Sequence, residues 1–143
     1  MYKTKSYHGS SPTIIQDILQ QGISVNLGGG ELGKGFYTGE HLHEAKAWAY
    51  HKTKTKKNNV IEFEHNDDDV LELDIKNIKA PEANRIRYKL KKYNQTRTFI
   101  FNVDLVWSPI VGTDRVNGIQ YKWESDKAEA LLNNPTLTGK VII

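Results

Sequence analysis

Between Ser11 and Gly22 the apolar positions fall at Ile14, Ile15, Ile18 and Leu19, one stripe with the period of an α-helix. Ser11 suits the N-cap, Pro12 the first helical position and Gly22 the place just past the last turn. The stretch is predicted as a helix. Upstream, residues 2–7 alternate aromatic and polar side chains, which is strand spacing, and end at His8-Gly9-Ser10. Downstream, residues 23–27 read as a short extended piece and residues 36–38 as a strand. Residues from about 40 to 51 read as a helix burying Leu42, Ala45 and Ala49. Residues 60–64 and 70–74 look like two strands, and the polar run 65–69 between them predicts a hairpin. Pro81 opens a basic helix in which Ala83, Ile86, Leu90 and Tyr93 recur at helical spacing. Residues 98–106 read as a buried strand, 107–112 as a turn and 119–123 as another strand. Ser125 is the expected cap of a short helix to about 132, and residues 141–143 close a sheet edge. Strands outnumber helices without alternating regularly with them, so the predicted class is α+β.

The chain length of 143 residues suits a single domain over residues 1–143, with one core. A net charge of +3 and a pI near 9.0 permit an acidic or phosphate-bearing partner without requiring one. No cysteine is present, which excludes a disulfide framework and a cysteine zinc site. Residues 1–5 lack the apolar run of an export signal, and no stretch reaches the length of a membrane span. The expectation is a cytoplasmic protein with no membrane partner.

Several stretches carry candidate chemistry. Residues 28–35 hold five glycines in eight positions and match G-x-x-x-x-G-K. Gly35 stands where a phosphate-binding loop needs Ser or Thr for magnesium, and a strand follows where a helix should start. The loop is therefore read either as a mobile surface loop or as a loop that flanks a ligand and lets backbone approach it closely. His41 and His43, if helical, lie about 200° apart around the axis and cannot share an ion, so no metal is expected. His8 is either a structural hydrogen-bonder or a ligand contact. Arg85, Arg87, Lys89, Lys91 and Lys92, interleaved with Tyr88 and Tyr93, fit either a solvated helix face or a nucleic-acid surface. The aspartates 67–69 lack the order of a calcium loop and are read as a hairpin turn. On 119–124, alternation puts Gln120, Lys122 and Glu124 on one face, which is either a solvent side or the lining of a cleft.

Taken together, His8-Gly9-Ser10, Gly33-Lys34-Gly35-Phe36-Tyr37-Thr38, Trp48 eleven residues beyond Tyr37, and Ile119-Gln120-Tyr121 resemble the ADP-ribosyltransferase fold. The similarity is to the His–Tyr–Glu clade of diphtheria toxin and the poly-ADP-ribose polymerases, and within it to small bacterial domains without an assigned function. It covers roughly residues 5–132.

The resemblance implies a split β-sheet with short flanking helices that clamps NAD. His8 would bond a ribose hydroxyl and the Gly9 backbone the nicotinamide amide. Tyr37 and Trp48 would sandwich the nicotinamide ring, and Ser10, Gly35 and Phe36 would complete the NAD-binding set. Gln120 stands where the family has its catalytic glutamate. It brings a hydrogen-bond acceptor but no charge, and charge-assisted bonds are roughly twice as strong as neutral ones. Glu124 faces the same side of the strand about 13 Å away. The implied activity is transfer of ADP-ribose from NAD to a protein or nucleic-acid acceptor. The implied setting is a bacterial or phage toxin restrained by an antitoxin or inhibitor protein. Two alternatives stand beside it: an NAD- or ADP-ribose-binding module without turnover, and a basic nucleic-acid binder.

Overall fold

The computed structural model describes residues 2–113 and 116–143. Seven strands form one mixed sheet: β1 Lys3–Gly9, β2 Phe36–Gly39, β3 Val60–Asn66, β4 Ile75–Asn77, β5 Leu105–Pro109, β6 Ile119–Trp123 and β7 Thr138–Ile142. Their order is β4-β5-β6-β2-β1-β3-β7, with β4 and β5 parallel and every other pair antiparallel. Among the described residues five helices flank it: α1 Pro12–Gln21, α2 Leu42–Thr53, α3 Asp67–Leu71, α4 Ala80–Lys92 and α5 Asp126–Asn133. The architecture is α+β.

The helix predicted from Ser11 to Gly22 forms with those caps. Ser11 Oγ accepts from the Ile14 amide, and Gly22 closes the last turn at φ +89°, where a side chain is strained. Ile15 and Ile18 carry its buried stripe into the larger core, which also holds Phe36, Ile61, Phe63, Trp123 and Leu132. A smaller core lies on the opposite sheet face, where Leu32, Ile78, Ala83 and Val106 pack with Tyr37 and Phe101.

Several sequence expectations are corrected. Residues 60–74 are not a hairpin: β3 runs on to Asn66, and Asp67–Leu71 is a helix. Three aspartates in a first turn suit the positive end of the helix dipole as well as they suit a turn. Residues 98–104 are not strand, because their backbone is spent on other partners described below, and 107–109 extend β5 instead of turning the chain. The short extended piece expected at 23–27 gives way to a turn at 25–27, with Ile23 and Val25 buried. His41 precedes α2 and is not on it, so its ring stacks on His43 at 5.2 Å. Among the described residues no group of three or more His, Cys, Asp or Glu could hold a metal. None of the described helices is long and apolar enough to cross a membrane.

Candidate functional site

The sheet opens where the His8-Gly9-Ser10 motif ends β1. β1 and β3 pair along the whole of β1, but β1 and β2 share only Tyr7↔Gly39. His8 fills the opening. Its Nδ1 lies 2.7 Å from the Tyr37 carbonyl, and its ring stacks on Phe36 at 4.5 Å. A carbonyl can only accept, so Nδ1 carries the proton and Nε2 keeps a free lone pair. Burial lowers the His8 pKa from its ordinary value, against the Tyr37 carbonyl, which raises it. The ring is therefore neutral near pH 7, and the tautomer is fixed by that bond.

Gly9 is dictated by what lies above it. A Cβ there would sit 2.3 Å from the Ala45 carbonyl oxygen, so α2 rests directly on the glycine backbone. The Ser10 amide donates to Asn59 across β3 at 2.9 Å. By strand alternation the Gly9 N–H and C=O then point to the other edge, toward β2, where the ladder has no further pair.

Register sets what shares this face. Gly39 pairs with both Tyr7 and Gln120, and Tyr37 with Lys122, so Tyr37, Gln120 and Lys122 project on one side of the sheet. Ile119, Tyr121 and Trp123 project on the other, and so does His8, which pairs with Ile61 and stacks on Phe36 of the larger core; the register does not bring His8 onto the face of Tyr37 and Gln120. The polar face of β6 is not a solvent side: Gln120 is 7% exposed and Lys122 fully buried. The Lys122 ammonium bonds Glu124 at 2.7 Å and lies 5.0 Å from the Phe101 ring centre. Glu124 also accepts from the Phe101 and Asn102 amides at 3.0 and 2.7 Å. Both its oxygens are thereby committed to holding residues 99–102 under the sheet.

The glycine loop is tied down by hydrogen bonds to the 96–99 segment and to Tyr37. Gly30 donates to Thr96, Lys34 to Phe99, and Arg97 reaches the Leu27 carbonyl. Gly33, at φ +98°, passes so close to Phe99 that a Cβ would meet its carbonyl oxygen at 2.2 Å. Tyr37 pins the loop from beneath: its hydroxyl donates to the Gly33 carbonyl and accepts from the Leu32 amide. Gly30 crosses the Tyr37 ring, where a Cβ would lie 2.8 Å from Cζ. Burial, with smaller contributions from Glu31 and Glu124, raises the Tyr37 pKa well above its ordinary value, so the hydroxyl keeps its proton.

This anchoring delivers a residue that sequence reasoning missed. Gln120 Nε2 donates to Glu31 Oε1 and, at 3.1 Å, to the Pro109 carbonyl. Glu31 also accepts from the Val111 amide at 2.9 Å and lies 3.7 Å from Arg87 Nε. A carboxylate therefore sits on the amide that lacked one. The only trace in the sequence is a lone acid inside a glycine run, 89 positions from its partner.

Trp48 is on α2 and 59% exposed, with the Lys52 ammonium 4.8 Å from its ring centre. No ring contact joins it to Tyr37 among the described residues. Ser10 and Gly35 have backbone roles. Gly35 clears the Lys122 side chain, whose Cγ would lie 2.8 Å from an added Cβ. On α4, Ala83 and Leu90 face the core, Arg87 serves Glu31, and Tyr88 and Tyr93 are exposed.

Residues 5–132 match the model of a family described as a protein of unknown function, DUF3990, and the chain belongs to that family. A search of curated proteins gives no match.

Proposed function

We propose that this DUF3990 chain has an ADP-ribosyltransferase-like fold that binds NAD at the β1–β2 opening and transfers ADP-ribose to a macromolecular acceptor. The observation that carries the reading is the opening itself. At one point in the sheet it offers a neutral imidazole with a free Nε2 and an unpaired stretch of glycine backbone. A nicotinamide amide needs one donor and one acceptor in line, which a free strand edge supplies. The rings of Tyr37 and Trp48 are the surfaces for the pyridine, and His8 Nε2 takes a ribose hydroxyl.

In the reaction the bond between ribose C1′ and the pyridine nitrogen breaks, and nicotinamide leaves with the electron pair. Positive charge develops on the ribose until an acceptor nucleophile attacks C1′ and loses its proton. Only groups that meet this charge in the transition state accelerate the step. Gln120, with Nε2 held by Glu31 and Pro109, would have to meet the sugar through Oε1. The Glu31 carboxylate behind it supplies the negative charge an amide lacks. Glu124 is a positioning residue, acting through Lys122 and residues 99–102.

The second reading, a module that holds NAD or ADP-ribose without turnover, is favoured by the neutrality of Gln120 and by Arg87, which shares the Glu31 charge. Incubation with NAD separates the two. The transferase reading expects steady nicotinamide release that falls about 10²-fold in Glu31→Gln and in Gln120→Ala, with NAD affinity little changed. Saturable binding without release selects the module. Absence of both rejects the two together.

A further inference from the structure

On the opposite face of β6 lies a cavity of about 360 Å³, within the range of small-molecule sites. Trp107, Tyr121 and Trp123 form its aromatic wall, and His65, Asp67 and Asn77 line it as well. The rings are arranged at angles to one another: Trp107 to Tyr121 at 71°, Tyr121 to Trp123 at 51°, His65 to Trp123 at 57°. Residues 119, 121 and 123 point here while 120 and 122 point to the other face of the sheet, toward Glu31 and Glu124.

Two side chains lining this cavity, His65 and Trp107, carry buried polar atoms without partners. His65 is 3% exposed, yet neither ring nitrogen makes a hydrogen bond, and the buried Trp107 Nε1–H makes none. Trp123, in the same wall, is the contrast, since its Nε1–H donates to Thr38 Oγ1 at 2.9 Å. Buried polar atoms without a partner are few in folded proteins, and three around one cavity mark a place where a partner belongs. Asp67 is already engaged, accepting from the Thr4 hydroxyl.

We propose that this cavity binds a purine base or nucleoside, at a site separate from the β1–β2 opening. The recognition follows from the groups present. An indole N–H only donates, so the occupant presents an acceptor to Trp107. A neutral imidazole offers a donor at one ring nitrogen and an acceptor at the other, pointing in divergent directions, so the occupant meets His65 through one of them. The body between them is flat and aromatic to match the wall. A purine combines these features, with ring-nitrogen acceptors and an exocyclic donor on one plane. A cation suits the aromatic faces but would meet the Trp107 N–H head-on, so it is disfavoured here.

The chain has three tryptophans, which gives three indole N–H signals in a nitrogen–proton correlation spectrum. Titration with adenosine, and separately with guanosine, should shift the Trp107 signal and leave Trp48 in place, with saturation at millimolar concentration or below. Trp107→Phe keeps the ring and removes the donor. Its spectrum reports whether it folds, and it should weaken binding about tenfold. His65→Phe, checked the same way, should weaken binding to a similar degree. Two results would overturn the proposal. One is a Trp107 signal unmoved by both nucleosides in the unmodified protein, which leaves the cavity to water. The other is preferential saturation by benzyltrimethylammonium, which makes it a cation site. Neither result touches the NAD reading, which is tested through nicotinamide release.

Discussion

Glu124→Leu should lower the stability of the chain by about 3–5 kcal/mol, measured by urea unfolding at neutral pH with the slope checked against the parent. The reason is what the carboxylate leaves behind. Lys122 is fully buried, and without Glu124 its ammonium retains only the Phe99 carbonyl at 3.5 Å and two aromatic rings. The Phe101 and Asn102 amides lose their acceptor as well. Lys122→Met should cost less, because Glu124 still accepts those two amides. The double variant should cost less than the sum of the singles, since the residues share one network. Desolvation by burial already holds the Lys122 pKa below its ordinary value, against Glu124, which raises it. A Glu124→Leu protein within 1 kcal/mol of the parent would contradict the claim that this pair anchors residues 99–102.

The second large effect belongs to Gly9. The added methyl of Gly9→Ala would lie 2.3 Å from the Ala45 carbonyl oxygen, which is backbone and cannot rotate away. α2 must lift, and Trp48 lifts with it. Displacement on the order of 1 Å at a positioning element costs roughly 10²-fold in turnover. The expected result is a comparable loss of nicotinamide release, with far-ultraviolet circular dichroism retained. Turnover unchanged in Gly9→Ala would mean that neither the β1 edge nor α2 takes part.

What the sequence made legible was whatever its neighbours determine. The helix after Ser11 carries its own caps and stripe within a dozen positions, and the strand 119–123 carries its own alternation. The apolar run Phe99-Ile100-Phe101 misled because its hydrophobicity is real but its hydrogen bonds are not to a strand. Phe99 and Phe101 lean on the Lys122 ammonium, and Asn102 takes a left-handed turn at φ +63° so that two successive amides reach Glu124. Those partners lie more than twenty residues away, beyond any local window. The candidate site divides in the same way. His8, Gly9 and Tyr37 stand in recognisable short motifs. Glu31 becomes visible only when the glycine loop is folded onto the 96–99 segment and carried to Gln120. The glycines looked like freedom. In the structure they are close approaches, to Phe99, to the Tyr37 ring and to Lys122.

We propose the parting of β1 from β2 as a nicotinamide site, and a structure of the protein crystallised with NAD decides it. The expected result is the carboxamide on the Gly9 N–H and C=O, the pyridine between Tyr37 and Trp48, and ribose hydroxyls on His8 Nε2 and Gln120 Oε1. NAD ordered elsewhere on the molecule, with that opening closed, would contradict it.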